Sequence, residues 1–125
     1  KDGIYAASLL VEMIAVSGKK LSEIAEDIRK EYGEIHMEER AYRFTLEEKE
    51  RIQKVLMEDK GLPELPFAAD HVSYLDGCKV YFQNGGWVSA RFSGTEPLLR
   101  IFCEMETEHE AVQVCEIFEE YLHLR

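Results

Sequence analysis

From position 71 to position 105 the chain is patterned with a period of two. Apolar residues recur at alternate positions in runs too short for helices, and the runs are separated by turn-forming pairs. Residues 71–75 read as a strand, and Asp76-Gly77 behind them is a strong tight-turn signal. Residues 78–83 put Cys78, Val80 and Phe82 on one face, and Asn84-Gly85-Gly86 marks a second hairpin. Residues 87–92 then align Val88, Ala90 and Phe92, and residues 98–105 align Leu99, Ile101, Cys103 and Met105. Strands joined by such short turns are antiparallel neighbours. A sheet with one apolar face needs a covering layer.

That layer is supplied by two amphipathic segments. Thr45-Leu46-Glu47-Glu48 is a capping box, in which the Thr45 hydroxyl and the Glu48 carboxylate serve first-turn N–H groups. The helix that follows reaches about residue 60 with Ile52, Val55 and Leu56 inward, and Gly61 and Pro63 end it. Thr107-Glu108-His109-Glu110 repeats the pattern ahead of a last helix that buries Ala111, Val114, Cys115, Phe118 and Leu122. Residues 35–44 read as a further strand with poor alternation. The expected fold class is α+β: a two-layer antiparallel sheet of four to five strands with two helices on one face.

Two more helices precede this unit. Residues 2–16 form one, with Asp2 as its cap and Ser17-Gly18 as its stop. Residues 22–32 form the other, with Ile24, Ala25 and Ile28 inward and Gly33 at its end. The first is apolar over so much of its surface that one neighbouring helix cannot cover it. With no Met at its start, the chain reads as an excised fragment.

The segment Arg91-Phe92-Ser93-Gly94-Thr95-Glu96-Pro97-Leu98-Leu99-Arg100 joins two of the strands. Ser93 and Thr95 offer hydroxyl donors, and Gly94 lets a ligand approach the backbone N–H groups without Cβ interference. Successive N–H groups in a tight turn can form an anion-binding concavity. Arg91 adds a planar fork suited to phosphate. Pro97 donates no N–H and holds Glu96 extended. By alternation Arg91 and Arg100 both project from the face opposite the core set, one at each end of the loop. The alternative is an ordinary surface turn, with Arg100 paired to Glu104 two positions along. Glu96 orients the loop or neighbours Arg91, the alternative being an acid or base role. Trp87, on the same open face, is either a contact for a sugar or another domain, or a packing residue beside Tyr81.

Composition narrows the partners. The net charge of −10 argues against nucleic acid or an anionic membrane as a general partner, so a phosphate ligand has to be drawn by a local cluster. Cys78, Cys103 and Cys115 lack metal-type spacing and read as reduced, buried thiols of a cytoplasmic protein. His36, His71, His109 and His123 show no metal-binding spacing either. No apolar run is long enough to span a bilayer.

The residues 91–97, Arg-Phe-Ser-Gly-Thr-Glu-Pro, resemble the phosphate-binding loop in the last domain of the α-D-phosphohexomutases, the phosphoglucomutase/phosphomannomutase family. Lys1-Asp2-Gly3-Ile4-Tyr5-Ala6-Ala7, followed by Leu9-Leu10-Val11-Glu12, is similar to the segment that closes the third domain of that family. The resemblance implies that residues 1–33 are the helical remnant of the third domain and that 34–125 are the last domain, with the fold of a TATA-box-binding-protein half, an analogy of fold without DNA binding. It implies an isomerase that moves phosphoryl groups between the C1 and C6 oxygens of a hexose through a phosphoserine and a bisphosphorylated sugar. Mg²⁺ and a glucose 1,6-bisphosphate-type activator belong to that picture, with the metal site and the serine in domains outside this chain. The partners implied are a hexose phosphate and the other domains of the same polypeptide. Substrate-phosphate binding would fall to Arg91, Ser93, Gly94, Thr95, Glu96 and Arg100, and the chain by itself would be inactive. In some members asparagine replaces the loop glycine, so Gly94 leaves glucose, mannose and glucosamine phosphates open. The competing reading is a free-standing sugar-phosphate-binding or protein-interaction module.

Overall fold

A computed structural model describes residues 2–124. Two compact units are present, one up to Glu34 and one from Ile35 onward. The first holds helices α1 (Gly3–Ser17) and α2 (Leu21–Tyr32). The Asp2 carboxylate accepts from the Tyr5 N–H at 2.9 Å, and Gly18 ends α1 in the left-handed region at φ 64°. At α2 the Glu23 carboxylate accepts from the Lys20 N–H at 2.7 Å. No residue of α1 or α2 is buried, and Ile4, Val11 and Val16 are among the exposed apolar side chains. Ile28, expected to face inward, is exposed as well, because α2 finds too little apolar surface to cover it.

The second unit is a five-stranded, fully antiparallel sheet beneath two helices. Its strands are β1 (His36–Arg43), β2 (Ala69–Ser73), β3 (Cys78–Phe82), β4 (Trp87–Phe92) and β5 (Leu98–Met105), in the order β1-β5-β4-β3-β2. Helices α3 (Leu46–Gln53) and α4 (Glu108–Tyr121) lie on one face. The core joins Val80, Val88, Leu99, Ile101 and Cys103 of the sheet to Ile52, Leu56, Val114 and Phe118 of the helices, all at most 1 % exposed. Burying each of the larger of these contributes about 1.5–3 kcal/mol relative to exposure. Both capping boxes form: Thr45 and Glu48 exchange N–H bonds at 2.7 and 3.3 Å, and Thr107 and Glu110 do so at 3.1 and 3.3 Å.

The structure departs from the sequence reading in three places. The helix after Thr45 is α-helical only to Gln53 and continues as a widened π turn over Lys54–Glu58. The left-handed residue behind it is Lys60, at φ 51°, rather than Gly61. The β2 strand lies two residues earlier than expected, so Leu75 falls on the turn and is 97 % exposed. In β1 the inward positions are His36, Glu38, Arg40 and Tyr42, which is why its apolar alternation reads poorly. Arg40 lies between β1 and α4 and pairs with Glu38 at 3.0 Å, Glu119 at 2.6 Å and Glu116 at 3.8 Å. Burial opposes its charge, but hydrogen bonds to Glu38, Tyr42 and Glu119 outweigh that and raise its pKa. A charged strand face is thus tolerated because the helix above it supplies carboxylates.

The three cysteines are buried, and burial raises the Cys78 thiol to about 11. Hydrogen bonding to Cys115, and then burial, push the Cys103 thiol upward. Because all three thiols are buried, native-state labelling with a maleimide near neutral pH is expected to proceed only as fast as the protein unfolds. Fast labelling of any of the three without unfolding would contradict this packing.

Gly77 places the β2–β3 turn against β4. Its φ is 84°, and a Cβ there would stand 2.5 Å from the Ala90 carbonyl oxygen and 3.0 Å from the Arg91 Cα. The expected cost of Gly77→Ala is about 2 kcal/mol of unfolding free energy, measured in urea. A cost below about 0.5 kcal/mol would place the turn elsewhere.

Candidate functional site

The loop between β4 and β5 is closed by two backbone bonds. The Ser93 N–H donates to the Leu98 carbonyl and the Leu98 N–H to the Glu96 carbonyl, each at 2.8 Å. The Pro97 carbonyl accepts from the Phe44 N–H at 3.3 Å, which ties the loop exit to the end of β1. Between these anchors, the N–H groups of Gly94, Thr95 and Glu96 have no acceptor among the described residues. Gly94, Thr95 and Glu96 are exposed, and Ser93 is half-buried at the foot of the loop. A Cβ at Gly94 would meet nothing within 4 Å, and its φ is not left-handed. Among the described residues, neither backbone strain nor crowding requires glycine there.

The strand register sets the charge on either side. Arg91 lies directly opposite Arg100, flanked by the inward-facing pair Ala90 and Ile101. Both guanidiniums therefore stand on the face away from the helices. Like charges directly opposed across a sheet are destabilising. Each arginine has one carboxylate neighbour: Arg91 Nη1 is 3.1 Å from Asp76 Oδ2, and Arg100 Nη2 is 3.5 Å from Glu96 Oε2. Arg100 pairs with Glu96, four positions back, and not with Glu104. The Glu104 carboxylate instead accepts from the Trp87 indole N–H at 3.2 Å. The Arg100 Nε is buried without an acceptor among the described residues.

Further along the same face runs an aromatic strip. Tyr81 and Trp87 are cross-strand partners, Lys79 Nζ lies 3.7 Å from the Trp87 ring centroid, and His71 stacks on Tyr81 at 4.3 Å. Trp87 packs beside Tyr81, and its indole N–H is satisfied by Glu104.

All six residues singled out from the sequence, Arg91, Ser93, Gly94, Thr95, Glu96 and Arg100, fall on this loop or its two flanking strands. Asp76 was read only as a turn residue. The signal for more was available: counting outward from the Asn84–Gly86 hairpin aligns position 77 with position 91, so residue 76 falls beside an arginine. No group of three or more His, Cys, Asp or Glu among the described residues could hold a metal ion. No helix of the described residues is long and apolar enough to cross a membrane.

The geometry defines a two-layer α+β domain in which a loop with free N–H donors sits between two opposed arginines at one end of the sheet. The family model described as "Phosphoglucomutase/phosphomannomutase, C-terminal domain" matches residues 35–120. The chain is 34 % identical over 122 residues to a phosphoglucomutase/phosphomannomutase of Thermococcus kodakarensis, covering 94 % of this chain and 23 % of that protein. It is 32 % identical over 119 residues to a probable phosphoglucosamine mutase of Methanopyrus kandleri, covering 94 % and 24 %. It is also 32 % identical over 108 residues to a phosphoglucosamine mutase of Geobacillus kaustophilus, covering 86 % and 20 %. The chain belongs to the phosphoglucomutase/phosphomannomutase family and carries its C-terminal domain. It spans about a quarter of the length of the curated relatives it matches.

Arg100 faces a like charge across the sheet, is paired with Glu96 and has a buried Nε with no acceptor among the described residues. In low-salt, phosphate-free buffer Arg100→Met is expected to raise the unfolding free energy by about 1 kcal/mol, with a smaller gain at high salt. Urea unfolding measures this, and a loss of stability would contradict the opposed-charge reading.

Proposed function

We propose that this chain is the C-terminal part of a phosphohexomutase and that the Ser93–Pro97 loop, with Arg91 and Arg100, holds a phosphate of the hexose phosphate substrate. The observation that carries the reading is the set of three successive free N–H groups, Gly94 to Glu96, set between two arginines that oppose each other on the open face. A tetrahedral dianion satisfies what this arrangement leaves unsatisfied. The N–H groups and the Ser93 and Thr95 hydroxyls supply neutral donors, and the guanidiniums supply charge.

The role is positioning. Holding the phosphate that is not transferred places the other end of the sugar for in-line transfer elsewhere in the cleft. Contacts confined to phosphate oxygens serve a 1-phosphate and a 6-phosphate equally, so the loop accepts the sugar in either orientation. They also leave the choice of sugar to other domains, and the relatives' names divide between phosphoglucomutase/phosphomannomutase and phosphoglucosamine mutase.

In the same reading residues 1–33 close the preceding domain, and the exposed apolar side chains of α1 belong against the rest of it. The phosphoserine, the Mg²⁺ site and the response to a glucose 1,6-bisphosphate-type activator lie in the remaining three-quarters of the parent, a cytoplasmic isomerase. The chain alone then has no mutase activity.

Amide NMR of the chain titrated with millimolar glucose 1-phosphate tests the site. The expected result is shifts concentrated in residues 93–96, abolished by Arg91→Ala with the fold retained. Shifts elsewhere only, or shifts that survive Arg91→Ala unchanged, would contradict the assignment.

A further inference from the structure

We propose that Asp76 is an exchange counter-ion for the phosphate site: it holds Arg91 while the loop is free and gives it up when phosphate arrives, which keeps phosphate weakly held and quick to leave. This rests on the phosphate reading of the loop and assigns a residue that regulates it. Two independent features place Asp76. Its Oδ2 lies 3.1 Å from Arg91 Nη1. The turn that carries it is pressed onto β4 at Gly77, where there is no room for a Cβ between the turn and the Ala90–Arg91 backbone. Asp76 therefore sits beside Arg91 by construction of the turn, and not through a chance rotamer of a distant side chain.

The need for such a group follows from the register. When phosphate leaves, Arg91 and Arg100 face each other across adjacent strands with their shared counter-charge gone. Glu96 recovers Arg100, and Asp76 recovers Arg91. Two cations and two carboxylates make the empty site neutral, so binding is an exchange of anions. Both members of the Arg91–Asp76 pair are more than half exposed. An exposed ion pair of this kind is weak and yields readily to a ligand that also reaches the free N–H groups of the loop. A site in which the sugar has to turn between two orientations gains from a short residence time.

The test is Asp76→Asn in the full chain, titrated with glucose 1-phosphate at about pH 7.5, where a phosphomonoester is dianionic. Asn-Gly is as good a turn former as Asp-Gly, so the substitution removes charge and keeps the turn. The expected result is binding about two- to fivefold tighter than wild type, with slower dissociation in the NMR line shapes of residues 93–96. Asp76→Ser, which also suits a turn, is expected to behave alike and covers a failure of the first variant to fold. Unchanged or weaker binding with wild-type binding intact would overturn the proposal and make Asp76 a fixed support of Arg91. An absence of loop shifts in the wild type as well would overturn the phosphate reading itself.

Discussion

The pairing of β4 with β5 is the constraint on which the rest depends. In one register Val88 and Ala90 meet Cys103 and Ile101 on the helix side, all at most 2 % exposed, and Arg91 meets Arg100 on the other. A slip of either strand by one residue would exchange that strand's faces, burying its guanidinium and exposing its core residues. The apolar half of the alternation therefore locks the charged half in place. The cost of opposing two arginines is borne by the packing of the residues between them, and the loop at the strand ends inherits a geometry that its own sequence could not enforce.

The overall charge of the chain is negative, and the site works against that background. Its cations are two side chains fixed by a sheet, each next to a single carboxylate, with neutral donors between. Such a site attracts an anion at short range only, since salt screens the rest within about a Debye length.

Much of this was legible in the sequence because local chemistry and tertiary demand agreed. The two hairpins, the β4 and β5 strands and both capping boxes follow from residues that leave few alternatives, such as Gly77 and Thr45. The family resemblance rested on residues 91–97 and on the first dozen positions, and the match over residues 35–120 supports it. What escaped is what depends on distant partners. The inward face of β1 is charged because α4 brings Glu116 and Glu119 over Arg40, far away in sequence. The widened turn after Gln53 and the earlier start of β2 answer to packing around residues 54–70, which periodicity does not encode. Asp76 looked like turn chemistry alone, and its place beside Arg91 shows only when strand register is counted across β3 and β4.

The most direct measurement is a crystal structure of the chain grown with tungstate, whose anomalous signal locates a tetrahedral dianion without ambiguity. The account predicts one dominant peak within hydrogen-bonding distance of the N–H groups of Gly94 to Glu96 and of the Arg91 guanidinium, with Asp76 turned away from Arg91. A fully occupied anion elsewhere, with the loop empty and the Arg91–Asp76 pair unchanged, would contradict it.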